Sequence, residues 1–213
     1  MKKTNKGFSL VELIIVIAIM AILAGAIAPA LIRYIDKSRK SNDVTAAKSI
    51  KTAVETAIGN EQLYELCTAG APIGDYTAIL VVEPGVKTEN TKSGTDNTAK
   101  CITPIIPQKD TFSDDDIKTN YDNLKLALQR EVATNIGEKM PKCKYKKNAS
   151  DKKNSAKPVC FVATVSSKGT VSVFVCTTKP ADKYEPVKGI DDGGKEKVAK
   201  DFELTPNVSS YYQ

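Results

Sequence analysis

Histidine and tryptophan are both missing from this chain of 213 residues. Without an imidazole there is no His-based catalytic triad, no histidine zinc site and no His-ligated haem, since those chemistries need that side chain at working pH. The five cysteines (Cys67, Cys101, Cys143, Cys160 and Cys176) include no C-x-x-C pair, so zinc-ribbon and thioredoxin-like sites fail on spacing. No phosphate loop and no nucleophile–base pair can be picked out. Asp191-Asp192-Gly193-Gly194 lacks the ligand spacing of a calcium loop and reads as a turn. No catalytic residue, metal or cofactor is therefore expected, and an exported, membrane-anchored enzyme or binding protein is disfavoured.

What the chain does have is a long greasy run. Leu13 to Ile32 holds 20 residues without a charge, about 30 Å as a helix and enough to cross a bilayer. Lys2, Lys3 and Lys6 precede it and predict a cytoplasmic N-terminus, although Arg33, Lys37, Arg39 and Lys40 make the far flank basic too. A cleaved secretory signal is the plain alternative, with small-x-small sites at Ala24-Gly25-Ala26 and Ala26-Ile27-Ala28. Against it, the apolar run is too long, and helical periodicity continues through Ile35, Val44, Ala47, Ile50, Val54, Ala57 and Ile58. One helix from Phe8 to Ile58 would be ~77 Å long, apolar all round in its first half and striped in its second.

The residues that open this run are the most specific in the chain. Gly7-Phe8-Ser9-Leu10-Val11-Glu12-Leu13 puts a carboxylate at the mouth of a membrane segment, where acids are costly (about 2.5–3.5 kcal/mol near the centre, less at the edge). Ser9-x-x-Glu12 is also a capping box, in which each side chain satisfies a free N–H at a helix start. Capping alone does not explain why the acid belongs to a bilayer-length apolar run. The motif resembles the processing site of type IV prepilins, with a Gly7–Phe8 bond to cut and a glutamate as the fifth residue of the mature chain. The resemblance covers roughly the first fifty residues and beyond them is architectural.

It implies the following. Residues 1–7 are a prepilin leader, and its removal would take the net charge from +6 to +3. An aspartyl prepilin peptidase in the membrane cuts after Gly7 and methylates the Phe8 amine. Residues 8–32 form the transmembrane and polymerisation helix, 33–62 the amphipathic half of the stalk, and 63–213 a globular head. Glu12 of one subunit meets the Phe8 amine of a neighbour during assembly. The product is a homopolymer of pilin subunits built by a membrane assembly machinery: a major pilin in a filament for adhesion, aggregation or surface motility. The subunit is a single-pass membrane protein before assembly and extracellular after it. A minor pilin or a type II secretion pseudopilin shares the same stalk. Gly25 and Pro29 pair as a weak point, because the proline ring collides with the carbonyl of Gly25.

The expected fold class is α+β, a long N-terminal helix packed on a head with an antiparallel sheet. Tyr76 to Glu83 reads as a buried strand stopped by Pro84-Gly85, and Val86 to Lys100 as a loop. Cys101 to Ile106 reads as an edge strand limited by Pro104 and Pro107. Ser113 caps a second helix near 114–136, with Asp114, Asp115 and Asp116 in its first turn and a stop at Gly137. Pro158 to Ser166 and Gly169 to Thr177 form a hairpin, and residues 178–213 wrap the sheet. Cys160 and Cys176 lie symmetrically about Lys168, so they oppose each other and read equally as a cross-strand disulfide, given a non-hydrogen-bonded register, or as two buried thiols. The lysines at 139, 142, 144, 146, 147, 152, 153 and 157 form a solvated loop; with Tyr145 alone among them for stacking, no specific nucleic acid is expected. A better use for that loop is complementarity to the acids of Asp110 to Asp116 on an adjacent subunit.

Overall fold

The computed structural model describes residues 8–71, 76–88, 97–145, 158–176, 188–190, 196–198 and 203–208. It divides into two units, Met1–Arg39 and Lys40–Gln213. The first is the leading part of helix α1 (Leu10–Ala57), which stays helical through Pro29. Apolar side chains cover that part on every face, and its residues are exposed almost without exception, Ile22 at 72%. This is the one helix among the described residues that is long and apolar enough to cross a membrane.

In the second unit the same helix has a buried stripe. Asp43, Ala47, Ile50, Val54 and Ala57 recur every three or four residues and are all buried. Full burial of Ile50 and Val54 contributes about 1.5–3 kcal/mol each. Ser41, Thr45, Lys48, Ser49 and Thr52 face water on the other side. The helix stops at Ala57, next to the flexible backbone of Gly59, and Asn60 then caps α2 (Glu61–Thr68) by accepting from Gln62 N at 3.0 Å and Leu63 N at 3.3 Å. This short helix is absent from the sequence reading, which ended the helical stretch near Ile58.

The core is a five-stranded antiparallel sheet in the order β2-β1-β3-β4-β7. Its strands are β1 (Ala78–Val82), β2 (Ile102–Ile105), β3 (Cys160–Val165), β4 (Val171–Cys176) and β7 (Glu203–Thr205), while β5 (Lys188–Ile190) and β6 (Glu196–Val198) form a separate antiparallel pair. Leu80, Val82, Phe161, Val173 and Val175 join the α1 stripe in one apolar cluster, and Ile79, Val81, Val162 and Phe174 form another on the opposite face. With both faces buried, β1 and β3 read as unbroken apolar runs rather than alternating ones. Residues 178–213, expected to wrap the sheet rather than extend it far, add the three-residue strand β7 beside β4.

The one-turn helix α3 (Thr98–Cys101) lies in the stretch expected to be loop, and most of the rest of that stretch is outside the described residues. Helix α4 (Asp115–Ile136) packs against α2, α3 and β2 through Ile117, Leu124, Leu128 and Val132. Its cap is Asp114, not Ser113: the Asp114 carboxylate accepts from Asp116 N at 2.7 Å and Ile117 N at 3.1 Å. An ionised oxygen makes the stronger bond to helix-start N–H groups and also gains from the helix dipole. At the β3–β4 turn Gly169 sits at φ 74°, and a Cβ there would lie 2.6 Å from the Tyr64 ring of α2. Both facts require glycine at this turn.

Candidate functional site

The site that the sequence singles out is the start of α1. Ser9 and Leu10 open the helix, and Glu12 Oε2 accepts a hydrogen bond from Ser9 N at 2.9 Å. That is the glutamate's half of the capping box, so in the single subunit the carboxylate finishes off its own helix end. Phe8 is 85% exposed beside it, and Gly7 lies outside the described residues. Among the described residues, Phe8 and the large apolar side chains from Leu10 to Ile32 are exposed. Gly25 has open space around it, and α1 passes through Gly25 and Pro29 without a break in its helical assignment.

In the head, Asp43 is the buried acid that sequence reasoning missed. It is 1% exposed, and its two oxygens accept from successive backbone amides, Lys144 N at 2.7 Å and Tyr145 N at 2.9 Å. Burial raises its pKa above 3.8, with the two amides and the Lys144 charge pulling the other way. Lys40 Nζ stands 5.1 Å over the Tyr145 ring. A signal was present in the sequence: Asp43 falls in phase with Ala47, Ile50 and Val54 on the apolar stripe. An acid at a core position must find donors or lose its charge.

All five cysteines are buried thiols. Cys160 and Cys176 are register partners on the face away from α1. Ser166 N donates to Thr170 O at 3.0 Å, and counting back along the ladder places Cys160 and Cys176 at a hydrogen-bonded position, with Cα atoms about 5.5 Å apart. The non-hydrogen-bonded register that favours a bridge is not the one adopted. Burial pushes the Cys176 thiol up, helped by Cys160 and Cys143, and pushes the Cys67 thiol to about 12. Protonated thiols of this kind are slow nucleophiles. Of the lysine-rich stretch, Lys139, Lys142 and Lys144 are exposed, and residues 146–157 lie outside the described residues.

The described residues thus combine one helix long and apolar enough to cross a membrane, an acid at its start, and a head of α+β class. Residues 2–28 match the family described as the prokaryotic N-terminal methylation motif. The type IV major fimbrial protein FimA of Dichelobacter nodosus is 37% identical over 70 residues, covering 33% of this chain and 44% of that protein. The fimbrial protein EcpC of Eikenella corrodens is 35% identical over 102 residues, 44% of this chain and 67% of that one. Fimbrial protein Q of Moraxella bovis is 49% identical over 54 residues, 25% of this chain and 34% of its own length. The matched segment spans less than half the length of the FimA relative. No solved structure matches the chain significantly. The chain belongs to the type IV pilin family.

Proposed function

We propose that this chain is the structural subunit, a major pilin, of a type IV pilus serving adhesion, aggregation or surface motility. The observation that carries this reading is Glu12, a carboxylate at the start of a helix whose leading apolar side chains are exposed. Before assembly the run Leu13–Ile32 sits in the membrane with the N-terminus cytoplasmic. The prepilin peptidase cuts between Gly7 and Phe8 and methylates the new Phe8 amine. That amine then lies within a helical turn of Glu12, and in hydrocarbon both charges need partners. Glu12 of one subunit meets the Phe8 amine of the next, so growth of the homopolymer neutralises each incoming charge while burying its apolar helix. Gly25 and Pro29 let the helix loosen locally as it packs. A bridge between Cys160 and Cys176 forms only with local adjustment of the ladder.

The membrane assembly machinery supplies the subunits to the growing extracellular fibre. N-terminal mass spectrometry of the surface protein tests the processing step: the mature chain begins at an N-methylated Phe8, and Gly7 replaced by a bulky residue leaves uncut precursor in the membrane. A mature chain beginning near Ile27 or Pro29, as a signal peptidase would leave it, overturns the assignment.

A further inference from the structure

The positive-inside rule depletes lysine and arginine from the exported flank of a membrane segment. Here that flank, in the orientation proposed above, carries Arg33, Lys37 and Arg39 within seven residues of the end of the apolar run. All three are exposed, and the one acid among them, Asp36, turns to Arg39 at 4.0 Å. Arg33 and Lys37, four residues apart, share a face of the helix. Tyr34, between them in sequence, is 72% exposed. An exposed aromatic ring with its hydroxyl, directly after a greasy run, is what the boundary between hydrocarbon and water selects. At 1.5 Å per residue, positions 33 to 37 reach roughly 7 Å beyond Ile32, close to the depth of one headgroup layer.

We infer that Arg33, Tyr34 and Lys37 form a docking site for anionic phospholipid headgroups, holding the unassembled subunit at the outer surface of the membrane. The inference rests on the membrane placement of Leu13–Ile32 proposed above. The arginine guanidinium matches a phosphodiester with two parallel N–H donors, the lysine adds a point charge, and the tyrosine ring lies at the level of the glycerol backbone. Two cations on one face favour a headgroup with net negative charge over a zwitterion, whose own ammonium they repel. On assembly the subunit leaves these lipids, so the site acts only in the membrane-held pool.

The chain has no tryptophan, so one introduced indole reports on its own surroundings. Full-length protein carrying Tyr34→Trp is reconstituted in mixed phosphatidylcholine and phosphatidylglycerol vesicles in which one lipid or the other is brominated. Brominated phosphatidylglycerol should quench the indole with a preference on the order of twentyfold at low salt, about fivefold for each of the two cations near an anionic surface. Adding Arg33→Gln and Lys37→Gln should bring the preference close to one. Equal quenching by both lipids in the parent variant overturns the inference, as does a preference that survives loss of both cations. A second reporter, Ile22→Trp, separates the two layers of the argument. Its quenching by either brominated lipid, with no preference at position 34, sinks the headgroup site alone; an unquenched indole at position 22 sinks the membrane placement and the site with it.

Discussion

Helix α1 is one continuous element with two opposite fates. From Leu10 to Ile32 its apolar side chains are exposed, and from Ala47 to Ala57 the apolar stripe is buried down to 0% at Ile50 and Val54. Both stretches are helical, so helicity cannot be what distinguishes them. The difference is where each finds its solvent. The second stretch is satisfied inside its own chain by the sheet residues of its cluster, among them Leu80, Phe161 and Val173. The apolar side chains of the first are exposed, and an exposed apolar surface of this size marks a place of association with membrane or protein. A single helix therefore joins a part made for folding to a part made for association.

The sharpest way to break that comparison is Glu12→Ala. Cleavage and membrane insertion should persist, insertion improving slightly as the helix becomes more apolar. Filament assembly should collapse, because the Phe8 ammonium would enter the fibre without a partner at about 3–5 kcal/mol for each subunit. Filaments counted by electron microscopy against processed subunit on an immunoblot decide it, and normal filament numbers would leave Glu12 a helix cap only. Next in size is a pair of truncations on one helix. Ile50→Ala should cost the head about 2–5 kcal/mol in urea unfolding of the detergent-solubilised chain. Ile14→Ala, its exposed counterpart, should leave head unfolding where it was; a matching loss at both sites would erase the distinction between the two stretches.

The smallest effect concerns the one polar member of the buried stripe. Asp43→Asn leaves one of two successive amides without its acceptor, at about 1–3 kcal/mol. The same variant gives a pH test. Because burial raises the native pKa of Asp43 above 3.8, the folded state takes up a proton before the unfolded one does. The stability contributed by this group is therefore complete below 3.8 and is lost as the pH rises through the raised native value. Wild type should accordingly gain on Asp43→Asn as the pH falls through that window and level off beneath it. An advantage that shrinks on acidification would mean that the amides, not burial, dominate the site.

Long, strongly patterned segments were legible before any coordinates. The membrane run, the stripe from Val44 to Ile58, the second helix and the hairpin around Lys168 each carry their own period or turn residues over ten or more positions. Short elements were not. Helix α2 has only eight residues; Asn60 and the spacing of Leu63, Leu66 and Cys67 suit a helix, but one this short holds only once those side chains are buried. The cap of α4 is Asp114 although Ser113 can also cap, because the Asp114 carboxylate accepts from two helix-start amides. Strand β7 has three residues and joins the sheet by pairing Glu203 and Thr205 with β4 across a register shift.

At the candidate site the division is just as clear. The sequence by itself determined the apolar run, its flanking charges and the acid at its mouth, because membrane solvation acts on composition along a single helix and needs no tertiary partner. Only the tertiary structure decided that Asp43 is buried on two amides of a segment about a hundred residues away, and that the opposed Cys160 and Cys176 fall at a hydrogen-bonded rather than a non-hydrogen-bonded position. Those outcomes depend on which distant backbone groups come within 3 Å, and that distance is fixed by packing rather than by any local preference of the chain.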